Sequence, residues 1–316
     1  MQILRHPPQV RPGQRGCVAT IGNFDGVHLG HQAIISQLTH AATENRLPSV
    51  VMTFEPQPLE FFAPESAPPR LTSFREKCQV LARQGVDRVL CLRFTDVLAQ
   101  LTPAQFADQL LIRALGARHV VVGDDFRFGR HREGDYRTLA GLAHRMGFEV
   151  SETPTSMLGG ARVSSSRIRS ALLDGDMRAA AAMLGRPYRI IGRVVSGDRR
   201  GRGLGFPTAN VDLGRRAPPL RGVFAVRVLG LDDPSRDGVA NIGTRPVFDG
   251  ASRMLLEAHL FGFDGDIYGR RIEVEFLRRL RDEQRFATVS ELQDQIRRDC
   301  EQARAFLHSP AAQEMR

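Results

Sequence analysis

Cys17-Val18-Ala19-Thr20-Ile21 leads into Gly22-Asn23-Phe24-Asp25-Gly26-Val27-His28-Leu29-Gly30-His31, and the reading of that join decides the fold. The first five residues form an apolar, β-rich run that reads as a buried strand. After the join, Ala33, Ile34, Ile35, Leu38, Ala41 and Ala42 recur at helical spacing. The decapeptide is therefore a strand-to-helix turn. The first N–H groups of a helix lack internal acceptors and sit at the positive end of its dipole, so such a turn favours an anion. Its glycines allow close backbone approach. His28 and His31, three positions apart, share one face of the helix start and can address the same phosphate. The pair also reads as a cap with packed rings, or as half of a metal site. Zinc would require further ligands, and the four cysteines, Cys17, Cys78, Cys91 and Cys300, form no C-x-x-C pair.

With 316 residues the chain exceeds what one core usually supports, so two domains are expected. Its 42% hydrophobic and 25% charged residues are ordinary for a globular protein. No apolar run approaches the ~18 residues of a membrane span. Met1 to Arg15 lacks the apolar segment of a secretory signal, so the expectation is a cytoplasmic enzyme with reduced thiols and no membrane partner. The formal charge of +9 is spread evenly: residues 1–183 carry 21 basic and 17 acidic groups, residues 184–316 carry 23 and 18. No basic tail is present, which argues against a nucleic-acid partner. Lys77 is the only lysine, so pairing with phosphates falls to arginine forks, with bound metal as a possible assistant.

Ser49 to Phe54 reads as a second buried strand, ended by Glu55-Pro56-Gln57-Pro58, which cannot continue a ladder. Arg88 to Leu92 and His119 to Gly123 read as a third and fourth strand, with helices over 72–84 and 103–116 between them. Strands alternating with helices imply a parallel sheet covered on both faces, with ligands at the strands' carboxyl ends. Asp124-Asp125-Phe126-Arg127-Phe128-Gly129-Arg130 falls at one such end. Further on, Val163-Ser164-Ser165-Ser166-Arg167-Ile168-Arg169 opens a helix. Serines there are good caps, and three hydroxyls with two arginines also make a polyphosphate clamp.

Past Gly185-Arg186-Pro187 the period becomes strand-like. Tyr188 to Val195, Phe206 to Leu213, Val223 to Leu229, Gly238 to Ile242, Arg253 to Phe261 and Arg271 to Leu280 are short strands between Gly, Asp and Pro turns, the pattern of an antiparallel barrel or sandwich. Residues 288–308 form an amphipathic helix with Val289, Leu292, Ile296 and Phe306 on one side. Gly201 to Asn210 is too glycine-rich for a plain hairpin, and Thr208 and Asn210, two apart, share a strand face. Such oxygen ligands suit Mg²⁺, although an ordinary turn is an equal reading. Glu257 and His259 likewise share one strand face.

Gly22 to His31 resembles the H-x-G-H signature of nucleotidyltransferases related to class I aminoacyl-tRNA synthetases, in the G-x-F-D-G-V-H-x-G-H form of prokaryotic bifunctional riboflavin kinase/FMN adenylyltransferases. Asp125 to Gly129 resembles that family's D-F-x-F-G loop, Val163 to Arg169 its I-S-S-T-x-I-R motif, Gly205 to Asn210 the G-F-P-T-A-N motif of riboflavin kinases, and Asn241 to Pro246 the N-I-G-x-R-P segment. The resemblance covers about residues 15–308. It implies an α/β nucleotidyltransferase domain over residues 1–185, Rossmann-like with a parallel sheet and the HIGH-type motif, and a riboflavin kinase barrel with a C-terminal helix over residues 186–316. It implies ATP as co-substrate, Mg²⁺ as cofactor, riboflavin and FMN as substrates, and FMN and FAD as products or bound flavins. For adenylyl transfer it implies Gly22, Phe24, Asp25, Gly26, His28 and His31 around ATP, with both histidines catalytic. Ser164, Arg167 and Arg169 would meet the leaving phosphates, and Asp125, Phe126 and Phe128 the flavin. For the kinase it implies Gly203, Gly205, Pro207, Thr208 and Asn210 around ATP, with Thr208 and Asn210 on the metal, and Glu257 accepting the proton of the ribityl hydroxyl. Val247, where the family has threonine, and Phe224, where it has tyrosine, depart from the pattern.

Overall fold

Strands β1 (Gln2–Leu4), β2 (Cys17–Ile21), β3 (Ser49–Glu55), β4 (Arg88–Arg93), β5 (Ala117–Gly123) and β6 (Glu149–Thr153) form one parallel sheet in the order β1-β4-β3-β2-β5-β6. This is a computed structural model, and it describes residues 1–6, 16–197, 203, 205–214, 217–231, 235–246 and 252–314. Central β2 is buried along its whole length, as its uninterrupted apolar run requires. Between strands run α1 (Leu29–Asn45), α2 (Pro58–Phe62), α3 (Phe74–Arg83), α4 (Asp96–Ala99), α5 (Pro103–Phe106) and α6 (Tyr136–Met146). Ile35, Leu38, Ala41 and Ala42 are the buried face of α1. The helix expected over 103–116 is α-helical only to Phe106 and continues as a π-helix over Ala107–Ala114. A short hairpin, β7 (Met157–Leu158) and β8 (Ala161–Arg162), closes this part of the chain.

Two helices, α7 (Ser165–Leu173) and α8 (Met177–Leu184), precede a closed antiparallel barrel. Its strands are β9 (Tyr188–Val195), β10 (Ala209–Asp212), β11 (Gly222–Leu229), β12 (Arg236–Pro246), β13 (Ser252–Leu260) and β14 (Arg271–Arg281). Going round, the order is β10-β13-β12-β11-β14-β9. Alternation decides which residues face inward. Phe224, Val226, Ala240, Ile242, Leu256, Val274 and Phe276 are fully buried, and Phe224 stands edge-on to Phe276 at 5.3 Å. The substitution of phenylalanine for tyrosine thus falls in the apolar core, where no hydroxyl needs a partner. Val247 lies outside the described residues.

Helix α9 (Val289–Leu307) covers the outer face of β11 and β12, burying Cys300, Ala303 and Leu307 against Val223, Ala225, Val239 and Leu277; α10 (Pro310–Gln313) follows it. Ile296 and Phe306 join this cluster as expected, but Val289 is 62% exposed because it is the first helical residue after the Thr288 cap.

By contact, the chain divides into one unit of Met1–Pro68 with Lys77–Val163 and another of Pro69–Glu76 with Ser164–Arg316. Pro69–Glu76 counts with the second because the Ile191 N–H donates to Glu76 Oε1 at 2.7 Å and Arg169 Nε to the Pro69 carbonyl at 2.6 Å. Among the described residues no helix is long and apolar enough to cross a membrane.

Candidate active site

β2 is flanked by β3 on one side and β5 on the other, so the connections after β2 and β5 leave in different directions and open a crevice at the strands' carboxyl ends. A cavity of about 250 Å³ occupies this place. Gly22, Asn23, Phe24, His28 and His31 wall it after β2; Asp124, Asp125, Phe126 and Arg127 after β5; Thr155 and Ser156 after β6; and Arg162 from β8.

The turn after β2 is tightly constrained. Phe24 and Val27 both have left-handed backbones, φ +47° and +44°, and Gly26 between them has φ +85°. For a β-branched residue that conformation is an outlier costing about 1–3 kcal/mol. The surroundings hold it: Val27 N–H donates to the Phe24 carbonyl at 3.3 Å, and Gln32 Nε2 to the Val27 carbonyl at 2.9 Å. Phe24 and Val27 are buried beneath the turn. The result is that α1 starts at the cavity wall.

His28 caps α1, its Nδ1 accepting the His31 N–H at 3.3 Å, which places the ring proton on Nε2. The two imidazoles stack at 3.6 Å with 17° between planes, and Phe24 lies 5.1 Å from His31. Burial first, then the opposing influence of His28, Lys77 and Arg162, holds the His31 ring well below the usual histidine range. His31 is therefore a neutral imidazole at physiological pH, and its buried Nδ1 has no hydrogen-bond partner.

Across the cavity, Asp124 accepts from the Thr155 N–H at 2.8 Å and from its hydroxyl at 2.7 Å, tying the loop after β5 to the loop after β6. Burial opposes its ionisation, but those two bonds win and hold the carboxyl below its ordinary value. Asp125 pairs with Arg162. Arg127 and Arg132 complete the cationic wall.

Of the residues expected here, Gly22, Phe24, His28, His31, Asp125 and Phe126 line the cavity. Asp25 is buried and Phe128 lies in the core against Phe106 and Phe126, so these two and Gly26 stand behind the wall. Ser164, Arg167 and Arg169 belong to the second unit, where Ser164 Oγ accepts the Arg167 N–H at 3.3 Å as the cap of α7. Asn23, Arg127, Arg132 and Arg162 also line the cavity and are not among the site residues that the resemblance implies. Arg162 directly precedes Val163 of the serine-rich motif, the one sequence signal that could have drawn attention to it.

In the barrel, Asn210 pairs with Glu257 across β10 and β13, and Glu257 with Asn241 across β13 and β12. In-register residues of adjacent strands present their side chains on the same face. All three line one cavity of about 460 Å³, together with Thr208, His259, Phe206 and the α9 residues Leu292, Ile296, Asp299 and Cys300. A second cavity of about 420 Å³ is walled by Pro207, Thr208, Ala258, Leu260 and Phe263 to Tyr268. Thr208 belongs to both. Gly197 lies directly against the Asn210 amide, where a Cβ would collide with it. His259 Nδ1 is 2.9 Å from the Pro207 carbonyl, so this ring braces the loop before β10. Gly203 and Gly205, the latter at φ +82°, line neither cavity.

Arg281 and Asp299 close the wall of the larger cavity through a two-pronged contact, Nε to Oδ1 at 2.9 Å and Nη2 to Oδ2 at 2.8 Å, and Gln295 Nε2 donates to Oδ1 at 2.9 Å. The pair joins β14 to α9 and Asp299 is 2% exposed. Removing one member strands the other's charge, so Asp299→Ala should lower unfolding stability by about 3 kcal/mol. Urea unfolding would read this as a lower midpoint at constant slope; an unchanged midpoint would show that the pair is not structural.

The FAD synthetase family model matches residues 10–167, and the riboflavin kinase family model residues 184–307. Two relatives described as bifunctional riboflavin kinase/FMN adenylyltransferase are each 50% identical to the chain. The one from Escherichia coli (strain K12) matches over 93% of both chains, and the one from Pseudomonas fluorescens over 99% of both. A crystal structure described as a macrolide-efflux protein from Streptococcus pneumoniae is similar at a TM-score of 0.81 and 33% identity, covering 96% of this chain and 98% of that one.

Proposed function

The chain belongs to the bifunctional riboflavin kinase/FMN adenylyltransferase family, and from that premise we propose how its cavities divide the chemistry. Riboflavin is phosphorylated to FMN by one ATP, and FMN is adenylated to FAD by a second, with release of pyrophosphate. The kinase step belongs to the barrel and adenylyl transfer to the crevice between β2 and β5. With four free cysteines and a need for ATP, we assign the enzyme to the cytoplasm.

The observation that carries the kinase reading is Thr208, common to both barrel cavities, with Glu257 on one of them. Two substrates can meet at that point. The larger cavity, lined by Phe206, Leu255, Phe286 and Ile296, suits a flavin ring, and the smaller one suits the nucleotide. Glu257 then accepts the proton of the ribityl 5′-hydroxyl as its oxygen bonds to the γ-phosphorus and ADP leaves. The donors nearby are a hydroxyl and an amide carbonyl, and the described residues hold no cluster of three His, Cys, Asp or Glu that could cage a metal. That set fits Mg²⁺, which keeps waters and prefers substrate phosphates to an all-protein cage. Thr208 and Asn210 would hold it, and when bound it would neutralise charge on the transferring phosphates.

For adenylyl transfer, a phosphate oxygen of FMN bonds to the α-phosphorus of ATP as the bond to pyrophosphate breaks. The reaction needs position and charge neutralisation more than covalent help. The start of α1 offers N–H groups to a phosphate, His28 offers its Nε2 proton, and Arg127, Arg132 and Arg162 offer cations on the same wall. Asp125 and Phe126, on the β5 side, are assigned to the flavin.

Purified protein incubated with riboflavin, ATP and Mg²⁺ should form FMN first and FAD later, with neither product after chelation of the metal. Chromatographic separation of the flavins checks this. Absence of FMN would defeat the barrel assignment, and FMN without FAD the crevice assignment.

A further inference from the structure

We propose that Lys77 is a positioning residue for adenylyl transfer, holding the Asn23–Phe24 peptide at the cavity wall through the hydroxyl of Thr53. The inference rests on assigning that chemistry to the crevice between β2 and β5. Lys77 Nζ donates to Thr53 Oγ1 at 3.3 Å, and Thr53 Oγ1 donates to the Asn23 carbonyl at 3.5 Å. Both side chains are fully buried. The backbone ladder between β2 and β3 ends with the Gly22 N–H on the Met52 carbonyl at 3.1 Å, so the Thr53 hydroxyl carries the connection one residue further. The peptide it reaches leads into Phe24, whose left-handed backbone sets up the turn and whose ring touches His31.

The sequence adds an independent reason. Among 44 basic residues, Lys77 is the only lysine, and it occupies a position with no exposure at all. Burial alone does not demand lysine, since Arg227 is 7% exposed and pairs with Asp237. What differs is shape: an ammonium is a compact, tetrahedral donor, whereas a guanidinium is a wide planar fork. A chain that otherwise uses arginine throughout keeps the compact ammonium here, within hydrogen-bond reach of the Thr53 hydroxyl.

The buried charge also acts on the histidine pair. The groups that oppose protonation of His31 are His28 at the start of its own helix, Lys77 on α3 and Arg162 on β8, and Arg162 is paired with Asp125. Glu55, Arg5 and Cys91 act together with Lys77 on neighbouring Cys78, whose thiol burial pushes up to about 11. Loss of the ammonium therefore makes His31 easier to protonate.

The test uses the full-length enzyme with K77M, K77R and T53V, reading FMN adenylylation against pH, with riboflavin phosphorylation as the internal control. In K77M, kcat for adenylylation should fall about tenfold with KM for ATP little changed, and the acid limb of the profile should move to higher pH. K77R keeps the charge and should leave the acid limb in place without restoring kcat. T53V keeps the charge and removes the relay, so it should lose kcat with the acid limb unmoved. Kinase turnover should match wild type throughout. Wild-type adenylylation in K77M or T53V, or an unmoved acid limb in K77M, would overturn the proposal. If K77M does not fold, T53V decides it by its kcat. A wild-type enzyme making no FAD would instead refute the crevice assignment beneath it.

Discussion

Replacing Glu257 by glutamine is expected to cut riboflavin phosphorylation by about 10²- to 10⁴-fold while FMN adenylylation runs at the wild-type rate. Glutamine has the length and hydrogen-bonding capacity of glutamate but does not take a proton from an alcohol. Its neighbours across the ladder, Asn210 and Asn241, can hydrogen-bond an amide as readily as a carboxylate, so the strand register should survive. The second activity is assigned to a different cavity, none of whose lining residues is shared with the barrel wall. Separate assays, one starting from riboflavin and one from supplied FMN, distinguish the outcomes. A kinase that survives the substitution would remove Glu257 from the chemistry. Equal loss of both activities would show that the variant disturbs the whole chain.

Continuous apolar runs were what made the parallel sheet legible. Cys17–Ile21 and the first six residues of Ser49–Glu55 are buried almost without exception, and no other element buries such a run so economically. β1 and β6 escaped notice for the opposite reason. Gln2–Leu4 is three residues long, and Glu149–Thr153 is mostly polar; both are edge strands that need bury only one side. The barrel strands were found through alternation, but alternation does not distinguish closure from a sandwich, because the pairing of β9 with both β10 and β14 is a long-range fact.

The sites divide in the same way. His28 and His31 were visible because their geometry is local, three residues along a helix start. Thr208 with Asn210, and Glu257 with His259, were visible as same-face pairs along a strand. Asn241 became a partner of Glu257 only through the register of β12 against β13, and Arg281 met Asp299 only when α9 packed on the barrel. Arg162 reaches the first cavity from a two-residue strand with no periodicity to read. What sequence cannot carry here is register and return paths, and the missed residues are those delivered by them.

Substituting His28 by asparagine is expected to slow FMN adenylylation by about 10²- to 10³-fold and to leave riboflavin phosphorylation intact. Asparagine is chosen because His28 has two duties that alanine would remove together. Its Nδ1 caps α1 by accepting the His31 N–H, a bond whose loss costs about 1 kcal/mol, and an asparagine side-chain oxygen caps a helix equally well. What asparagine does not restore is the Nε2 donor at the cavity wall or the ring stacked on His31. The loss should therefore appear in kcat with the thermal midpoint nearly unchanged, whereas His28→Ala should show the same kcat loss together with a lowered midpoint. The sign of the pH response separates the donor from a mere spacer. His31 resists protonation because it is buried and faces His28, Lys77 and Arg162, so removing the His28 ring takes away one of the groups that oppose its protonation and should extend the acid inactivation of the remaining activity to higher pH. A His28→Asn enzyme that makes FAD at the wild-type rate would leave the imidazole as a cap alone and transfer the phosphate contacts to the α1 N–H groups and the arginines.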